Sequence, residues 1–430
     1  MAQTLRQRLA LGLYALITAA ARPLLVRKLR RRGRQEPLYL HAIDERFGLY
    51  SDATDAPSSS WFWVHAVSLG ETRAAAALIA RLRAMQPDLR LLLTHGTATG
   101  REAGAALLRP GDRQVWLPWD ARGPVRRFLR HFRPVVGVLM ETEVWPVLVD
   151  ECARAGVPLR LVNARLSDKS LRQAQRLMAL SAPAYGGLAA VYAQTGDDAQ
   201  RLRALGAPVQ GVFGNLKFDI TPDAALIARG QAWKQALGGR RVVLLASSRE
   251  GEEQAWLQAW RGGTRSELAL LVPRHPQRFD EVAALLQASG LRVARRSAWG
   301  DNQPTPDDLQ ADVWLGDSLG EMPAYYALAD IGLLGGSFEP LGGQNLIEAA
   351  ACGCPMVVGP HTFNFAEATE RALALGAARQ AGDMASGLAM ALGWLHDEVA
   401  MASARKAAAA LPQQGAGALE RTARGLLGIA

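Results

Sequence analysis

The fold of this chain is decided by residues 61–95, which read WFWVHAVSLGETRAAAALIARLRAMQPDLRLLLTH. The stretch opens with an apolar run at 61–67, continues with a segment of helical pattern, and closes with a second apolar run at 89–95. Two short apolar runs on either side of a helix predict a βαβ unit with parallel strands. The chain is therefore expected to be an α/β protein.

The same alternation extends in both directions along the chain. Further strands are predicted near residues 115, 136 and 160, and at 189–195 and 209–214. The turn-rich segment GNLKFDITPD at 214–223 interrupts the series, which then restarts. A second series of strands is predicted at 241–248, 268–273, 291–296, 312–317, 331–337 and 355–359. We therefore expect two Rossmann-like α/β domains in tandem.

These patterns divide the chain into four segments. They are a basic and apolar arm at 1–34, a first domain at 35–214, a linker at 215–224 and a second domain at 225–430. Helical segments from about residue 366 onward are expected to cross back over the first domain. Ligands of open parallel sheets bind outside the carboxyl ends of the strands, so the expected site is a cleft between the two domains.

Composition limits the class of protein. The 430 residues are 49% hydrophobic and 21% charged, which excludes global disorder. Three cysteines, Cys152, Cys352 and Cys354, are too few for a disulfide framework and predict a reducing compartment. Since no further Cys or His pair completes a zinc site beside Cys352 and Cys354, we expect all three to be small buried residues.

The positive charge belongs to the arm. The net charge is +9, and residues 1–34 hold nine basic residues and no acid, so the rest of the chain is balanced. A balanced body argues against nucleic acid as a partner.

The arm also contains 13 uncharged residues, LALGLYALITAAA, between Arg8 and Arg22. A full membrane span needs roughly 17–25 apolar residues, so this run is short. The basic cluster that follows it favours a short membrane anchor with the body on the cytoplasmic face and anionic lipids as partners. A cleaved signal peptide and a basic surface helix remain alternatives.

Acidic residues follow two of the predicted strands in the first domain. Glu71 lies in the first turn of the helix after 61–67, where a carboxylate is stabilised and can act as a general base, or simply caps the helix. Glu141 and Glu143 follow the strand near 136, next to Trp145. They are either part of a site or solvated acids of a first helical turn.

Cations and amides follow other strands. Asn163, Arg165 and Lys169 come after the strand near 160, and Asn215 and Lys217 lie in the segment between the domains. Cationic groups at strand ends suit an anionic substrate, although a loop lysine is also commonly just solvated.

The second domain has glycine-rich strand ends. The most specific is GGSFEPLGGQNLIEAAACG at 335–353, in which Gln344 and Asn345 open a helix and Glu348 lies one turn inside it. A helix that begins after glycines can bind phosphate. The spacing matches neither the dinucleotide fingerprint nor the ATP-binding P-loop, which argues against both.

The sequence predicts no metal and no cofactor. It contains no HExxH motif, no DxD-like acidic metal pair at a strand end and no nucleophile elbow. We expect His65, His95 and His361 to be packing or hydrogen-bonding residues, whereas His275, between Arg274 and Pro276, is a site candidate.

Seven motifs now point to one family. SLGE, ETEVWP, NARLSDKS, GNLKFD, PRHPQRF, DSLGEM and GGSFEPLGGQNLIEA occur in the order found in Kdo transferases, so from its basic arm to near residue 370 the chain resembles that family. These are membrane-bound glycosyltransferases of GT-B fold that transfer 3-deoxy-D-manno-octulosonic acid (Kdo) from CMP-Kdo to the lipid A precursor, lipid IVA, in lipopolysaccharide synthesis. We expect no metal requirement, because helix-terminal N–H groups and an arginine can stabilise the single phosphate of a departing CMP. The resemblance thus implies CMP-Kdo and lipid IVA as partners and the inner membrane, on its cytoplasmic face, as the location.

The resemblance also implies roles for individual residues. Glu71 matches the proton acceptor, Glu141 a conserved acid, and Lys217 a cation that supports the transition state. The matching CMP-binding residues are Pro273, Arg274, Gly320, Glu321, Met322, Asn345, Leu346, Ile347 and Glu348. Arg165 and Lys169 are candidates for the acceptor side. Arg249 and Ser318 depart from the family, which often has His and Thr there.

Other functions keep the same fold. A lipid glycosyltransferase or an epimerase that uses a UDP-sugar, and a membrane-tethered nucleotide-sugar binding protein without turnover, are the alternatives. Family members that add one, two or more Kdo residues share these motifs, so the number added stays open.

Overall fold

The computed structural model describes residues 4–34, 36–51, 60–262, 266–413 and 415–429. The chain forms two compact units. Unit 1 comprises Met1–Leu216 together with Gly417–Ala430, and unit 2 comprises Lys217–Ala416.

Unit 1 is built on parallel strands with helices between them. Its strands are β1 Trp61–His65, β2 Arg90–His95, β3 Arg113–Trp116, β4 Pro134–Met140, β5 Leu159–Ala164, β6 Ala190–Ala193 and β7 Val209–Val212. The helices up to this point are α1 Leu5–Ala20, α2 Arg22–Arg32, α3 Leu69–Met85, α4 Ala98–Ala105, α5 Arg122–Phe132, α6 Pro146–Ala155, α7 Asp168–Arg176, α8 Met178–Gly186 and α9 Gly196–Ala204.

The sheet of unit 1 has the strand order β3-β2-β1-β4-β5-β6-β7. Every residue of β1 is buried, as expected for a strand covered by helices on both faces. Trp61 and Trp63 pack on one side with Phe128 of α5, while Phe62 and Val64 pack on the other with Leu78 of α3. The strand order reverses between β1 and β4, and the crevice beyond this point is where open α/β sheets bind ligands.

The N-terminal helix α1 is half-embedded in unit 1. Leu11 and Ala15 are buried in the core cluster that contains Trp63, whereas the apolar side chains on the other face are exposed: Leu5, Leu9, Leu13, Leu16 and Ile17. Among the described residues, no single helix has both the length and the apolarity to cross a membrane. The pair α1 and α2, bent by 50° at their junction, satisfies those criteria of length and composition when taken together.

Unit 2 repeats the parallel design. Its strands are β8 Val242–Ser248, β9 Leu268–Pro273, β10 Val293–Arg295, β11 Val313–Leu315, β12 Ile331–Leu334, β13 Met356–Val358 and β14 Ala378–Gln380. Its helices are α10 Ala224–Ala236, α11 Glu252–Trp260, α12 Phe279–Ala288, α13 Pro306–Leu309, α14 Met322–Leu328, α15 Leu346–Ala351, α16 Ala366–Leu375, α17 Met384–Leu395 and α18 Glu398–Gln413. The strand order is β10-β11-β9-β8-β12-β13-β14, so the reversal lies between β8 and β12.

The chain then returns to unit 1 in α19, Ala418–Leu427. Ala418, Ala423 and Leu426 are buried in the cluster that contains Leu78 of α3. The Tyr192 hydroxyl donates to the carbonyl of Gly425 at 2.9 Å, which fixes α19 against β6. Helices α16 to α18 stay in unit 2, so of the segments expected to cross back only 417–430 do so.

The predicted two-domain GT-B architecture is confirmed by the two parallel sheets. One strand, β14, was not predicted, because it has only three residues and two of them are exposed.

One cysteine prediction is wrong. Cys152 and Cys354 are buried, but Cys352 is only half-buried, because it lies just beyond the end of the short helix α15.

Candidate functional site

Glu71 of unit 1 is held at the point where β1 passes into α3. Ser68 is the N-cap of α3, and its hydroxyl oxygen accepts from the backbone N–H of Glu71 at 3.4 Å. The Glu71 carboxylate accepts in turn from the N–H of Val67 at 2.7 Å and from the Ser68 hydroxyl at 3.2 Å. The carboxylate is thus fixed at the carboxyl end of β1, at the reversal of strand order.

The surroundings of Glu71 favour its protonated form. Burial raises the pKa of Glu71 to about 7, against the opposing hydrogen bond from Val67, and the negative charges of Glu141 and Glu143 raise it further. A carboxyl group with a pKa near neutrality is suited to general base catalysis at physiological pH.

Glu141 follows β4 directly and has a strained backbone. Its φ is 57°, in the left-handed region that non-glycine residues rarely adopt, and its side chain is buried. Its carboxylate pairs with the guanidinium of Arg165, Nε to Oε2, at 2.9 Å. About half of the Arg165 side chain remains exposed, at 52%. The structure thus brings Glu71, Glu141 and Arg165 to one edge of the sheet.

Glu143 lies in the same loop as Glu141. Burial raises its pKa, and the indole N–H of Trp145 donates to Oε2 of Glu143 at 2.9 Å. The loop therefore presents two acids and an aromatic ring beside Glu71, as the ETEVWP motif indicated.

Asn163 connects β5 to the segment that precedes unit 2. It also has a left-handed backbone, with a φ of 51°, and it is almost wholly buried. Its side-chain oxygen accepts from the backbone N–H of Leu216 at 3.0 Å. Asn163 is thus an anchor for the GNLKFD motif rather than a surface residue.

The two candidate lysines are placed differently. Lys169 is exposed in the first turn of α7, which is capped by Ser167. Lys217 is half-buried and is the first residue of unit 2. Lys169 therefore belongs to the same unit as Glu71, whereas Lys217 belongs to the other unit.

In unit 2, β8 and β12 approach each other closely where they end. A Cβ atom on Gly335 would lie 2.3 Å from the carbonyl oxygen of Ser247, so only glycine fits. Ser247 itself has a φ of 54°. Gly335 is therefore required by the close approach of the backbone at the reversal of strand order.

Glu252 supports the loop after β12, a role that sequence reasoning missed. Its buried carboxylate accepts from the backbone N–H groups of Gly336 at 2.8 Å, Phe338 at 3.1 Å and Arg249 at 2.9 Å. Acids at the start of a helix are common, so the sequence offers little to distinguish Glu252 from the adjacent Glu253.

The predicted start of helix α15 is confirmed. The Asn345 side-chain oxygen accepts from the N–H of Ile347 at 3.1 Å, and its amide donates to Glu348 at 3.3 Å. Leu346 and Ile347 are buried in the core, so they can face a ligand only through the backbone.

Two basic strand-end segments lie in unit 2. Pro273 ends β9, and the next residue, Arg274, donates its backbone N–H to Ser248 at 3.0 Å. The pKa of His275 is lowered by its burial and by the nearby charges of Arg249 and Arg274. Arg249 also pairs with Glu250 at 3.2 Å, so part of the positive charge at this edge is balanced.

The Gly320–Met322 turn is fixed by ion pairs. Glu321 accepts from Arg229 at 2.6 Å, Arg296 at 2.8 Å and the Ser318 hydroxyl at 2.5 Å, so its carboxylate is already occupied. Gly320 has a φ of 78°, and Met322 begins α14. The turn can therefore contact a ligand through its backbone more readily than through Glu321.

Within the part of the chain that the structure describes, no three His, Cys, Asp or Glu side chains form a cluster that could hold a metal ion. What the two sites offer instead is a carboxyl group with a raised pKa in unit 1 and arginines with glycine-rich loops in unit 2.

Comparison with known proteins connects these sites to one family. Residues 41–220 match the family model described as 3-deoxy-D-manno-octulosonic-acid transferase. The chain is 48% identical to a 3-deoxy-D-manno-octulosonic acid transferase of Bordetella pertussis over 426 residues, which covers 96% of this chain and 97% of that protein. It is 32% identical to the enzyme of that name from Haemophilus influenzae, covering 77% and 78% of the two chains.

A solved structure shows the same fold. A UDP-GlcNAc 2-epimerase from Neisseria meningitidis, bound to UDP-GlcNAc, matches 86% of this chain and 100% of its own with a TM-score of 0.51 and 15% identity. The C-terminal CMP-Kdo binding domain of WaaA from Acinetobacter baumannii matches 44% of this chain and 100% of its own, with 32% identity and a TM-score of 0.41.

Proposed function

The chain belongs to the family of 3-deoxy-D-manno-octulosonic acid (Kdo) transferases, and from this premise we propose that it transfers Kdo from CMP-Kdo to lipid IVA. The Bordetella relative is similar along nearly its whole length, which supports a shared reaction. The observation that carries the proposal is the Glu71 carboxyl group, fixed at the carboxyl end of β1 with a pKa of about 7.

We assign Glu71 as the general base. It takes the proton from a sugar hydroxyl of the acceptor as that oxygen forms a bond to the anomeric carbon of Kdo. The bond from that carbon to the phosphate breaks at the same time, and the electron pair leaves with CMP. A single displacement of this kind inverts the anomeric configuration.

Unit 2 is proposed to bind CMP. Arg249 and Arg274 supply positive charge at the carboxyl ends of β8 and β9, and the start of α15, Asn345–Glu348, supplies backbone N–H donors other than that of Ile347. A single departing phosphate can be stabilised by such donors and an arginine without a metal ion. We therefore propose that the reaction is independent of metals and cofactors.

The cations of the strand-end loops are proposed to face the phosphate groups of the acceptor. Arg165 is half exposed although it pairs with Glu141, so it can bind an anion while keeping that carboxylate in place. Lys169 is exposed in α7. For Lys217 we propose support of the transition-state charge, as the family resemblance implies.

We propose that α1 lies in the membrane interface, on the cytoplasmic face of the inner membrane. Its inner face is part of the core of unit 1, and its exposed face is apolar. The following helix α2 carries Arg30, Arg31 and Arg32 in its last turn. An apolar face next to a basic one is the pattern of helices that bind anionic membrane surfaces.

The test is a product analysis. The purified protein is incubated with CMP-Kdo, generated in the reaction because it is labile, and lipid IVA, in the presence of EDTA. Mass spectrometry then counts the Kdo units added. We expect a product in the wild type and a loss of about 10²–10⁴-fold in rate for Glu71→Gln.

Glu102→Gln is the matched control, because Glu102 is an exposed acid in α4 of the same unit. It should retain full activity. Absence of product with active donor and acceptor would refute the proposed reaction, and a screen of UDP-sugars would then identify the donor. Product formation only without EDTA would refute the proposed metal independence.

A further inference from the structure

The helix that follows the acidic loop, Glu141–Trp145, is capped from outside. The N-cap residue of α6 is the last residue of that loop, and it makes no side-chain hydrogen bond to the first turn. The first N–H groups of a helix have no partner within the helix, so they need one from elsewhere. Asp120, in the loop between β3 and α5, supplies it. Its Oδ1 accepts from the N–H of Leu148 at 2.8 Å, and its Oδ2 accepts from that of Val147 at 3.3 Å.

Asp120 depends on its hydrogen-bond donors. It is only 6% exposed, and burial raises its pKa to about 6. Hydrogen bonds from Tyr14, Leu148 and Val147 oppose that rise. Removing one donor from a buried carboxylate leaves an acceptor unsatisfied and disfavours the charged form. The hold of Asp120 on the start of α6 should therefore weaken when any of these donors is lost.

Helix α1 contacts Asp120 and the residue before it. The indole N–H of Trp119 donates to the carbonyl oxygen of Thr18 at 2.8 Å. The Tyr14 hydroxyl donates to the carboxylate of Asp120. Leu11 is buried in the core cluster that also contains the first turn of α6. Since positions 11, 14 and 18 are three and four residues apart, they lie on one face of α1. This inner face thus contacts both Asp120 and the core around the helix that Asp120 caps.

We propose that Tyr14 and Asp120 are positioning residues for the proposed reaction. Through Tyr14, α1 orients Asp120, which fixes the start of α6 and thereby the acidic loop. The loop affects the base, because the charges of Glu141 and Glu143 add to the effect of burial in raising the pKa of Glu71. The proposal rests on the proposed function, in which Glu71 is the base. It adds a second role for α1, whose inner face supports the reaction while its exposed face binds the membrane.

The first test is Tyr14→Phe, which keeps the ring and removes only the hydroxyl. Lipid IVA is dispersed in detergent, so that turnover does not require membrane binding. We expect kcat per folded molecule to fall about fivefold to tenfold, the effect of one hydrogen bond. The KM for CMP-Kdo should not change, because unit 2 is proposed to bind the donor. Binding to anionic vesicles should not change either, because Tyr14 lies on the inner face of α1. A wild-type kcat would overturn the proposal, since α1 would then act only as an anchor.

Tyr50→Phe is the matched control. Tyr50 is a half-buried tyrosine of the same unit, and its hydroxyl donates to the carbonyl oxygen of Glu45 at 3.4 Å. This variant should keep the wild-type kcat, and equal losses in the two tyrosine variants would overturn the proposal.

Asp120→Asn is a second variant of the same link. The amide has one acceptor oxygen in place of two, so only one of the two N–H groups of α6 keeps its partner. We expect kcat per folded molecule to fall further than in Tyr14→Phe. A smaller fall than in Tyr14→Phe would contradict the proposed order, in which α1 acts through Asp120.

Hydrogen exchange separates this proposal from the proposed function, because it needs no turnover. In Tyr14→Phe the amides of Val147 and Leu148 should exchange about fivefold to tenfold faster than in the wild type, and in Tyr50→Phe at the wild-type rate. If this pattern is found and the wild type transfers no Kdo, the link from α1 to α6 holds and the proposed function fails. If the wild type transfers Kdo but Tyr14→Phe matches it in exchange and in kcat, the positioning proposal alone fails.

Discussion

At the scale of single residues, the protonation state of Glu71 should control the rate. Burial raises its pKa to about 7, and a base works only when deprotonated. We expect kcat/KM for the acceptor to rise about tenfold per pH unit below pH 7 and to level off above it. A pH–rate profile checks this. The residual activity of Glu71→Gln should lack that limb, and an unchanged limb in the variant would assign it to another group.

The same carboxyl group should destabilise the protein at high pH. The folded chain holds the Glu71 proton up to about pH 7, whereas an ordinary glutamate has a pKa of 4.5. Between these values the folded state binds more protons than the unfolded state, so the contribution to the free energy of unfolding falls as the pH rises.

Glu71→Gln should therefore stabilise the protein at pH 8 by about 1–2 kcal/mol, reduced from the full shift because Glu71 is partly exposed to solvent. At pH 4 the two proteins should be nearly equal. Urea unfolding at both pH values measures this, with Glu102→Gln as the control that shows no such difference. Equal stabilities at pH 8 would contradict the raised pKa.

Residues were predictable where their position in a pattern carried the information. Glu71 lies at the start of a helix that directly follows a strand. Asn345 lies just before a helix and just after a glycine pair, so both residues could be selected from their spacing. Glu252 could not, because its partners Gly336 and Phe338 are distant in sequence.

At the scale of elements, the contact between β8 and β12 should tolerate only glycine at position 335. The added methyl group of Gly335→Ala would meet the Ser247 carbonyl, which is backbone and cannot rotate away. We expect a loss of about 1–3 kcal/mol in the free energy of unfolding. Denaturant unfolding of the full chain measures it.

Gly393→Ala is the matched control for this substitution. Gly393 lies in α17 of the same unit, and a Cβ there would meet nothing within 4 Å. Alanine in the interior of a helix should leave the stability equal or raise it by up to about 1 kcal/mol. Equal effects of the two substitutions would contradict the close approach of the strands.

The strands themselves were largely predictable, because parallel strands covered on both faces are continuous apolar runs. The exception, β14, has one buried residue out of three. Its existence depends on pairing with β13, which no local pattern reveals.

At the scale of the whole molecule, the uneven distribution of charge along the chain predicts which part of the protein binds a membrane. The arm carries the entire net charge of +9, and its basic side chains on α2 are exposed. Each cation near an anionic membrane contributes about 1 kcal/mol. We expect the protein to sediment with anionic vesicles and to be released as the salt concentration rises.

The triple substitution of Arg30, Arg31 and Arg32 by Gln should weaken this binding by about 100-fold. The control replaces three exposed cations of unit 2, Arg261, Arg292 and Lys406, and removes the same net charge from the body. Equal weakening in both variants would mean that total charge, and not the arm, determines binding.

The return of α19 to unit 1 has a consequence for biosynthesis. Ala418, Ala423 and Leu426 fill part of the core beside Leu78, yet they emerge from the ribosome only after all of unit 2 has been made. Unit 2 is continuous in sequence and can fold as soon as it emerges, while unit 1, though translated first, stays incomplete. During that interval the apolar surface of unit 1 that α19 later covers is exposed. Nascent chains stalled before residue 417 should therefore bind chaperones more than the complete chain does.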